Sequence, residues 1–190
     1  GYAIAEAAME AGAAVTLISG PTNLPVPARV EIVNVESADE MLEKTLNIIE
    51  GTDIFISVAA VADFKVESPA LSKIKKTSEL KLSLELSKTP DILLEISKLK
   101  NGRKPFTVGF AAETENLIKN AEKKLREKDL DLIVANNVSD PTIGFDSDLN
   151  EVTVLGHELN KSFPKSSKKT LARNLVAVIA DKCLESIAYG

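Results

Sequence analysis

Residues 106–135 read FTVGFAAETENLIKNAEKKLREKDLDLIVA, and they decide the fold. Phe106–Ala112 is an apolar run of strand length. Thr114–Lys128 is charged and amphipathic, as a surface helix must be. Asp131–Ala135 is a second short apolar run, the mark of a buried strand. A strand, a helix and a strand with short links form a parallel crossover. Working outward, the same alternation recurs. Ala13–Ser19 (AAVTLIS) and Asp53–Ala60 (DIFISVAA) are β-branched apolar runs that predict buried parallel strands, and Arg29–Val35 alternates apolar with polar like a strand nearer an edge. Ser37-Ala38-Asp39-Glu40 is a capping box. It opens a helix expected to turn Met41, Leu42, Leu46, Ile48 and Ile49 inward. The order predicts an α/β fold: a doubly wound, mostly parallel sheet with helices on both faces and ligands outside the carboxyl ends of its strands.

The rest of the chain departs from that rhythm. Gly1–Gly12 is an alanine-rich helix with Gly12 where a C-terminal glycine belongs. A fold of this class begins with a strand and a phosphate-binding turn, so both are expected ahead of residue 1. Lys65–Glu79 is polar and Lys/Ser-rich, and is expected to form an exposed, mobile lid loop. Leu80, Leu82, Leu84 and Leu86 alternate as a strand does. Thr89-Pro90-Asp91 predicts a helix start with Thr89 as N-cap and Pro90 at the first helical position. Residues 136–150 are turn-rich. Glu151–Leu155 and a run near Ser162-Phe163 predict a terminal antiparallel hairpin, and residues 168–187 a closing helix with Leu171, Leu175, Val178 and Ile179 inward. All 190 residues are expected to form one domain.

Composition narrows the functions. The net charge of −5 makes for a poor general nucleic-acid binder, because phosphate contacts need surplus Lys and Arg. One cysteine, Cys183, and one histidine, His157, exclude an intrachain disulfide, a cysteine-based zinc site and a multi-histidine metal centre; both residues read as structural. No apolar run approaches the roughly 20 residues of a membrane span. The expected location is the cytoplasm.

Several constellations have chemical meaning, each beside a plainer one. Gly1-Tyr2-Ala3-Ile4-Ala5 ahead of a Gly-Ala-x-Val strand resembles the second half of a dinucleotide-binding unit, with Glu36 placed like a ribose-binding acid. Hydride transfer of that kind needs a Tyr with a Lys four residues on. Tyr2 has Glu6 there and Tyr189 is the penultimate residue, so an NAD(P)-dependent oxidoreductase fails on its chemistry. Ala59-Ala60-Val61-Ala62-Asp63-Phe64 follows a strand, and small residues there allow close backbone approach by a ligand. Asp63 suits a sugar hydroxyl or a base, or equally a turn cap. Lys73-Ile74-Lys75-Lys76 reads as a solvated charge run or as a lid closing over phosphates. Lys124 and Lys128 lie four apart on a helix of mixed charge, which by itself is ordinary surface.

Together these segments resemble one family. Ala59–Phe64, Lys73–Lys76, Thr89-Pro90-Asp91-Ile92-Leu93, Val108-Gly109-Phe110-Ala111-Ala112-Glu113-Thr114, Asp131–Asn137 and Gly144-Phe145-Asp146-Ser147-Asp148 occur in an order similar to that in the ligase half of bacterial bifunctional phosphopantothenoylcysteine decarboxylase/phosphopantothenate–cysteine ligase. The resemblance covers nearly the whole chain. It implies a Rossmann-like domain in coenzyme A biosynthesis that activates 4′-phosphopantothenate with CTP and Mg²⁺ and couples it to cysteine. It further implies that Ser57, Val58, Ala59 and Asp63 contact the nucleotide and that Lys73 binds phosphates and assists cytidylate formation from a loop reaching across a homodimer. Pro90, Asp91, Ile92 and Leu93 are implied to present a helix N-terminus to the nucleotide and Phe110 to border the base. Lys124 and Lys128 become nucleotide-pocket residues. A decarboxylase half upstream is implied, with no FMN in this chain. A non-catalytic nucleotide-binding module is the alternative from another class. The apolar alternation after the lid independently predicts a homodimer.

Overall fold

The computed structural model describes residues 1–70, 72–74, 83–99, 104–137 and 147–189. The elements in chain order are α1 (Tyr2–Glu10), β1 (Thr16–Ser19), β2 (Glu31–Asn34), α2 (Ala38–Ile48), β3 (Ile54–Ser57), β4 (Phe64–Val66), β5 (Leu86–Lys88), α3 (Ile92–Ser97), β6 (Phe106–Glu113), α4 (Leu117–Glu127), β7 (Leu132–Asn137), β8 (Leu149–Gly156), β9 (Leu159–Ser167) and α5 (Lys168–Tyr189). The main sheet has the order β3-β6-β7-β8-β9. β6 pairs in parallel with β3 (Ser57 opposite Gly109) and with β7 (Val108 opposite Leu132). β7–β8 and β8–β9 are antiparallel, the latter forming the expected terminal hairpin. β1 and β2 form a separate parallel pair, and β4 and β5 an antiparallel ribbon. The α/β expectation holds: parallel strands at the centre and a smaller antiparallel extension.

Alternation along β6 and β7 sends side chains to two opposite cores. Phe106, Val108, Leu132 and Val134 face Ile4 and Ala7 of α1 and Leu171, Leu175 and Ile179 of α5. Ala111, Ile133 and Ala135 face Ala121 of α4, Leu93 of α3 and Leu130. Helices therefore cover both faces, as doubly wound sheets require. Gly109 belongs to the second face. A Cβ there would lie 2.8 Å from Leu130 Cδ1 and 2.9 Å from Leu93 Cδ2, so its glycine lets α3 lie close on β6. Ion pairs tie α1 to α5: Lys169 with Glu6, and Arg173 with Glu10 through Nε at 2.7 Å and a second bond at 3.0 Å. Among the described residues no helix is long and apolar enough to cross a membrane.

Four local expectations need correction. In α2, Leu46 and Ile48 are exposed, while Thr45 and Ile49 are buried. The inward stripe runs through positions 41, 42, 45 and 49, and Thr45 occupies it because its hydroxyl donates to the Met41 carbonyl at 2.7 Å. The expected lid does not begin at Lys65: Lys65 and Val66 belong to β4, because an antiparallel partner in β5 supplies hydrogen bonds the sequence does not reveal. Of the alternating leucines, Leu86 opens β5, Leu84 precedes it in irregular backbone, and Leu80 and Leu82 lie outside the described residues. The helix after Pro90 begins two residues later than expected. Asp91 is its N-cap, accepting from Leu94 N at 3.1 Å, and Thr89 is not. The Thr89 backbone N–H is already committed to the Asp63 carbonyl at 2.9 Å, which holds Thr89 in line with β5.

Candidate functional site

The carboxyl ends of β1, β2 and β3 converge. Gly20 after β1, Val35–Asp39 after β2 and Ala59–Ala62 after β3 line a cavity of about 350 Å³, with Met41, Phe64, Lys65 and Thr89 completing it. The wall is largely apolar and built of small residues. Its rim on the α2 side is rigid: Ser37 Oγ accepts from Glu40 N at 3.2 Å, and the Glu40 carboxylate accepts from Glu36 N at 2.8 Å. That is the capping box read from the sequence, with the glutamate reaching one residue further back than usual. Lys65 and Asp39 form an ion pair across the cavity's polar edge. Thr89 Oγ1 is buried and has no hydrogen-bond partner, the one such side-chain atom among the described residues.

A somewhat larger cavity, about 430 Å³, opens at the other end of the sheet among Asp53, Lys104, Phe106, Asp131 and Cys183. Its polar groups are largely engaged structurally. Asp131 accepts from both the backbone N–H and the hydroxyl of Thr107, at 2.6 and 2.7 Å, and Lys104 pairs with Asp129 at 3.1 Å. Position therefore outweighs size. Loops at the carboxyl ends can vary without disturbing the sheet, and crossover helices start there with free N–H groups.

Part of the predicted site lies at that carboxyl edge. Ser57 ends β3, half-buried, and Val58 follows it against the core; Ala59 is exposed and lines the cavity. Phe110, partly buried on β6, follows Gly109, the register partner of Ser57. Asp63 is brought beside the α3 entry by its backbone bond to Thr89. Pro90 is half-buried, but Ile92 and Leu93 are buried at 7% and 8% exposure in two different cores, so a ligand can reach only their backbone groups. Lys73 is exposed and has no ion pair with a described residue; it is not drawn into the cluster. Lys75, Lys76 and the Gly144-Phe145-Asp146 segment lie outside the described residues.

The two helix lysines differ most from their sequence reading. Lys128 Nζ is 2.7 Å from Asp91 Oδ2, linking the end of α4 to the cap of α3. Lys124 Nζ is 2.7 Å from Glu113 Oε1, at the carboxyl end of β6. Neither is an ordinary solvated face. Glu113 belongs to the Val108–Thr114 motif, but the sequence assigns it no role of its own: its carboxyl is held below the usual carboxylate range by the Lys124 hydrogen bond first, against desolvation that pushes it up, and by a further bond from Asn120. The only sequence signal is an acid ending a strand, which is not specific.

Comparison with known proteins shows the family. The family model described as the DNA/pantothenate metabolism flavoprotein C-terminal domain matches residues 1–183. The coenzyme A biosynthesis bifunctional protein CoaBC of Vibrio vulnificus (strain CMCP6) is 43% identical over 180 residues, covering 94% of this chain and 45% of that protein. CoaBC of Escherichia coli (strain K12) is 42% identical over 184 residues, covering 96% and 45%. The chain thus spans about half the length of the curated relatives it matches. The crystal structure of the C-terminal domain of a CoaBC protein superposes with a TM-score of 0.77 at 38% identity, covering 94% of this chain and 79% of that one.

Proposed function

Since the chain belongs to the family of DNA/pantothenate metabolism flavoprotein C-terminal domains, we propose that it is a phosphopantothenate–cysteine ligase acting in coenzyme A biosynthesis. In the first step a carboxylate oxygen of 4′-phosphopantothenate attacks the α-phosphorus of CTP, the bond to the bridging β-phosphate oxygen breaks, and pyrophosphate leaves. In the second, the amine of cysteine attacks the acyl carbon, CMP departs with the electron pair of the broken C–O bond, and the amine nitrogen loses a proton. A free carboxylate is a poor electrophile; the nucleotidyl ester supplies the leaving group.

The observation that supports this reading is the small-residue cavity at the carboxyl end of β3, with Ala59 in its wall, Ser57 and Asp63 beside it in the chain and Phe110 next to the register partner of Ser57, while Lys124 and Lys128 are held by Glu113 and Asp91. Backbone groups at Ser57, Val58 and Ala59 approach the nucleotide, and Asp63 accepts from its hydroxyls or amino group. Phe110 borders the base. The entry to α3 from Pro90 to Leu93 offers backbone groups, with Asp91 committed to Leu94 N and Lys128. Lys73 supplies the phosphate charge. The cavity's apolar wall suits the aliphatic part of the acid substrate. Holding two anionic substrates side by side is the larger share of such catalysis, and it is what a rigid, charge-lined edge can do.

Among the described residues no group of carboxylates, cysteines or histidines converges to hold a cation. In this reading Mg²⁺ accompanies the triphosphate, and no step here runs through a protein-bound ion. Neither step needs a flavin. FMN belongs, in our reading, to a decarboxylase half upstream, as expected of a chain whose relatives are bifunctional. We further assign a homodimer, because Phe64, Val66, Leu84 and Leu86 expose 37–61% of their surface on and beside the β4–β5 ribbon, an apolar strip that a second copy can cover. The cytoplasm is the assigned location.

Calorimetric titration with CTP, ATP and NADPH tests the reading. CTP is expected to bind at least tenfold tighter than ATP, about 1.4 kcal/mol, and NADPH not to compete. Equal affinities for CTP and ATP would refute the pocket assignment; preferential NADPH binding would restore the oxidoreductase.

A further inference from the structure

Lys124 of α4 is not a bare cation. Lys124 gives one hydrogen bond to Glu113 Oε1 at 2.7 Å. The other carboxylate oxygen accepts from Asn120 Nδ2 at 3.1 Å, and Asn120 is itself anchored to the Glu115 carbonyl at 3.0 Å. Asn120 and Lys124 are four residues apart, so one face of α4 presents both groups to a single carboxylate. Glu113 is only 15% exposed and is the last residue of β6, so its position is set by the sheet. Its carboxyl lies below the usual range, so it remains ionised at neutral pH. Charge compensation changes what the lysine offers. An ammonium has three N–H donors. With its charge balanced by a fixed carboxylate, its remaining N–H groups are directed donors with little net field to attract phosphate. Lys73 is exposed and forms no ion pair with another described residue.

We infer that Glu113 is a positioning residue which, with Asn120, holds the Lys124 ammonium at the carboxyl end of β6 as a charge-balanced donor to the uncharged acceptors of the nucleoside, leaving the phosphates to Lys73. The inference rests on the ligase reading above. It makes specificity for the nucleoside a property of the Glu113–Lys124 pair rather than of positive charge alone.

Titration with cytidine and with CTP separates the two roles. Glu113→Gln keeps the shape and removes the charge. Cytidine affinity is expected to fall about tenfold in Glu113→Gln and in Lys124→Gln alike. The double variant should bind cytidine no worse than Lys124→Gln alone, since Glu113 acts only through that lysine. CTP affinity should fall less than cytidine affinity in Glu113→Gln, because the uncompensated lysine gains attraction for phosphate. A purely structural role would weaken both ligands equally and add to the lysine substitution. Should Glu113→Gln not fold, Asn120→Ala keeps the ion pair while releasing one restraint, and should lower cytidine affinity about threefold. Failure of the unmutated chain to bind either cytidine ligand overturns the functional reading and this inference with it. Binding by the unmutated chain with unchanged or additive losses overturns this inference alone.

Discussion

Which residue starts α3 can be tested by stability alone. Asp91 caps the helix through Leu94 N and pairs with Lys128, and its two roles can be separated. Losing an N-cap side chain costs typically about 1 kcal/mol. The Lys128–Asp91 pair joins side chains 28% and 41% exposed, which places it near the upper end of exposed pairs, about 0.5–1 kcal/mol. Asp91→Ala loses both and should cost about 1.5–2 kcal/mol by that addition. Asp91→Asn retains an oxygen for Leu94 N and should cost only about 0.5–1 kcal/mol. Thr89→Val is the decisive control. Had Thr89 been the cap, as the Thr-Pro-Asp order suggests, removing its hydroxyl would cost what the aspartate costs. The hydroxyl is instead buried without a partner, and replacing such a group with a methyl of similar shape is nearly neutral or stabilising. Urea unfolding followed by circular dichroism reads all three, with an unchanged m-value showing that the denatured state is not altered. In a heat scan, Asp91→Ala should melt roughly 3–8 °C lower, at about 2–4 °C per kcal/mol for a domain of this size. If Thr89→Val costs as much as Asp91→Ala, or if Asp91→Ala and Asp91→Asn are equally stable, the capping argument is wrong.

Two further outcomes follow from the proposed chemistry. Lys73→Gln should shift stability by less than about 0.5 kcal/mol, as exposed positions do, while slowing pyrophosphate release from CTP and phosphopantothenate on the order of a hundredfold, the usual value of one charge contact at a reacting centre; full activity in the variant would make the segment a solvated tether. Leu86→Asp on the β4–β5 ribbon should convert a dimer to a monomer in light scattering at micromolar concentration without unfolding the chain, and a monomeric unmutated protein would refute the covered-ribbon argument.

Periodicity and composition alone determined most of this architecture. Residues 106–135 carry a strand, a helix and a strand because burial on two faces demands apolar runs and a surface helix demands a stripe, and those patterns survive in any context. The closing helix, the terminal hairpin and the Ser37 cap were legible for the same reason: each is settled by contacts within a few residues. Tertiary structure decided what depends on a distant partner. β4 exists because β5 lies opposite, not because Phe64–Val66 is a strong strand former. Leu46 and Ile48 are apolar yet exposed, and Thr45 is buried, because α2 has one covered stripe and a threonine can satisfy its own hydroxyl. Thr89 looks like a cap, but its backbone is committed to Asp63, so the helix waits for Asp91. Asp63 and Phe110 could be named from their places at strand ends, whereas Ser57 and Asp91 enter as site residues only through the family resemblance. Lys124 and Lys128 could not be told from surface by composition, since what removes them from solvent's control is a carboxylate 11 residues away in one case and 37 in the other. Charge pairing across elements leaves no periodic trace in a sequence; only the folded sheet brings those groups within 2.7 Å.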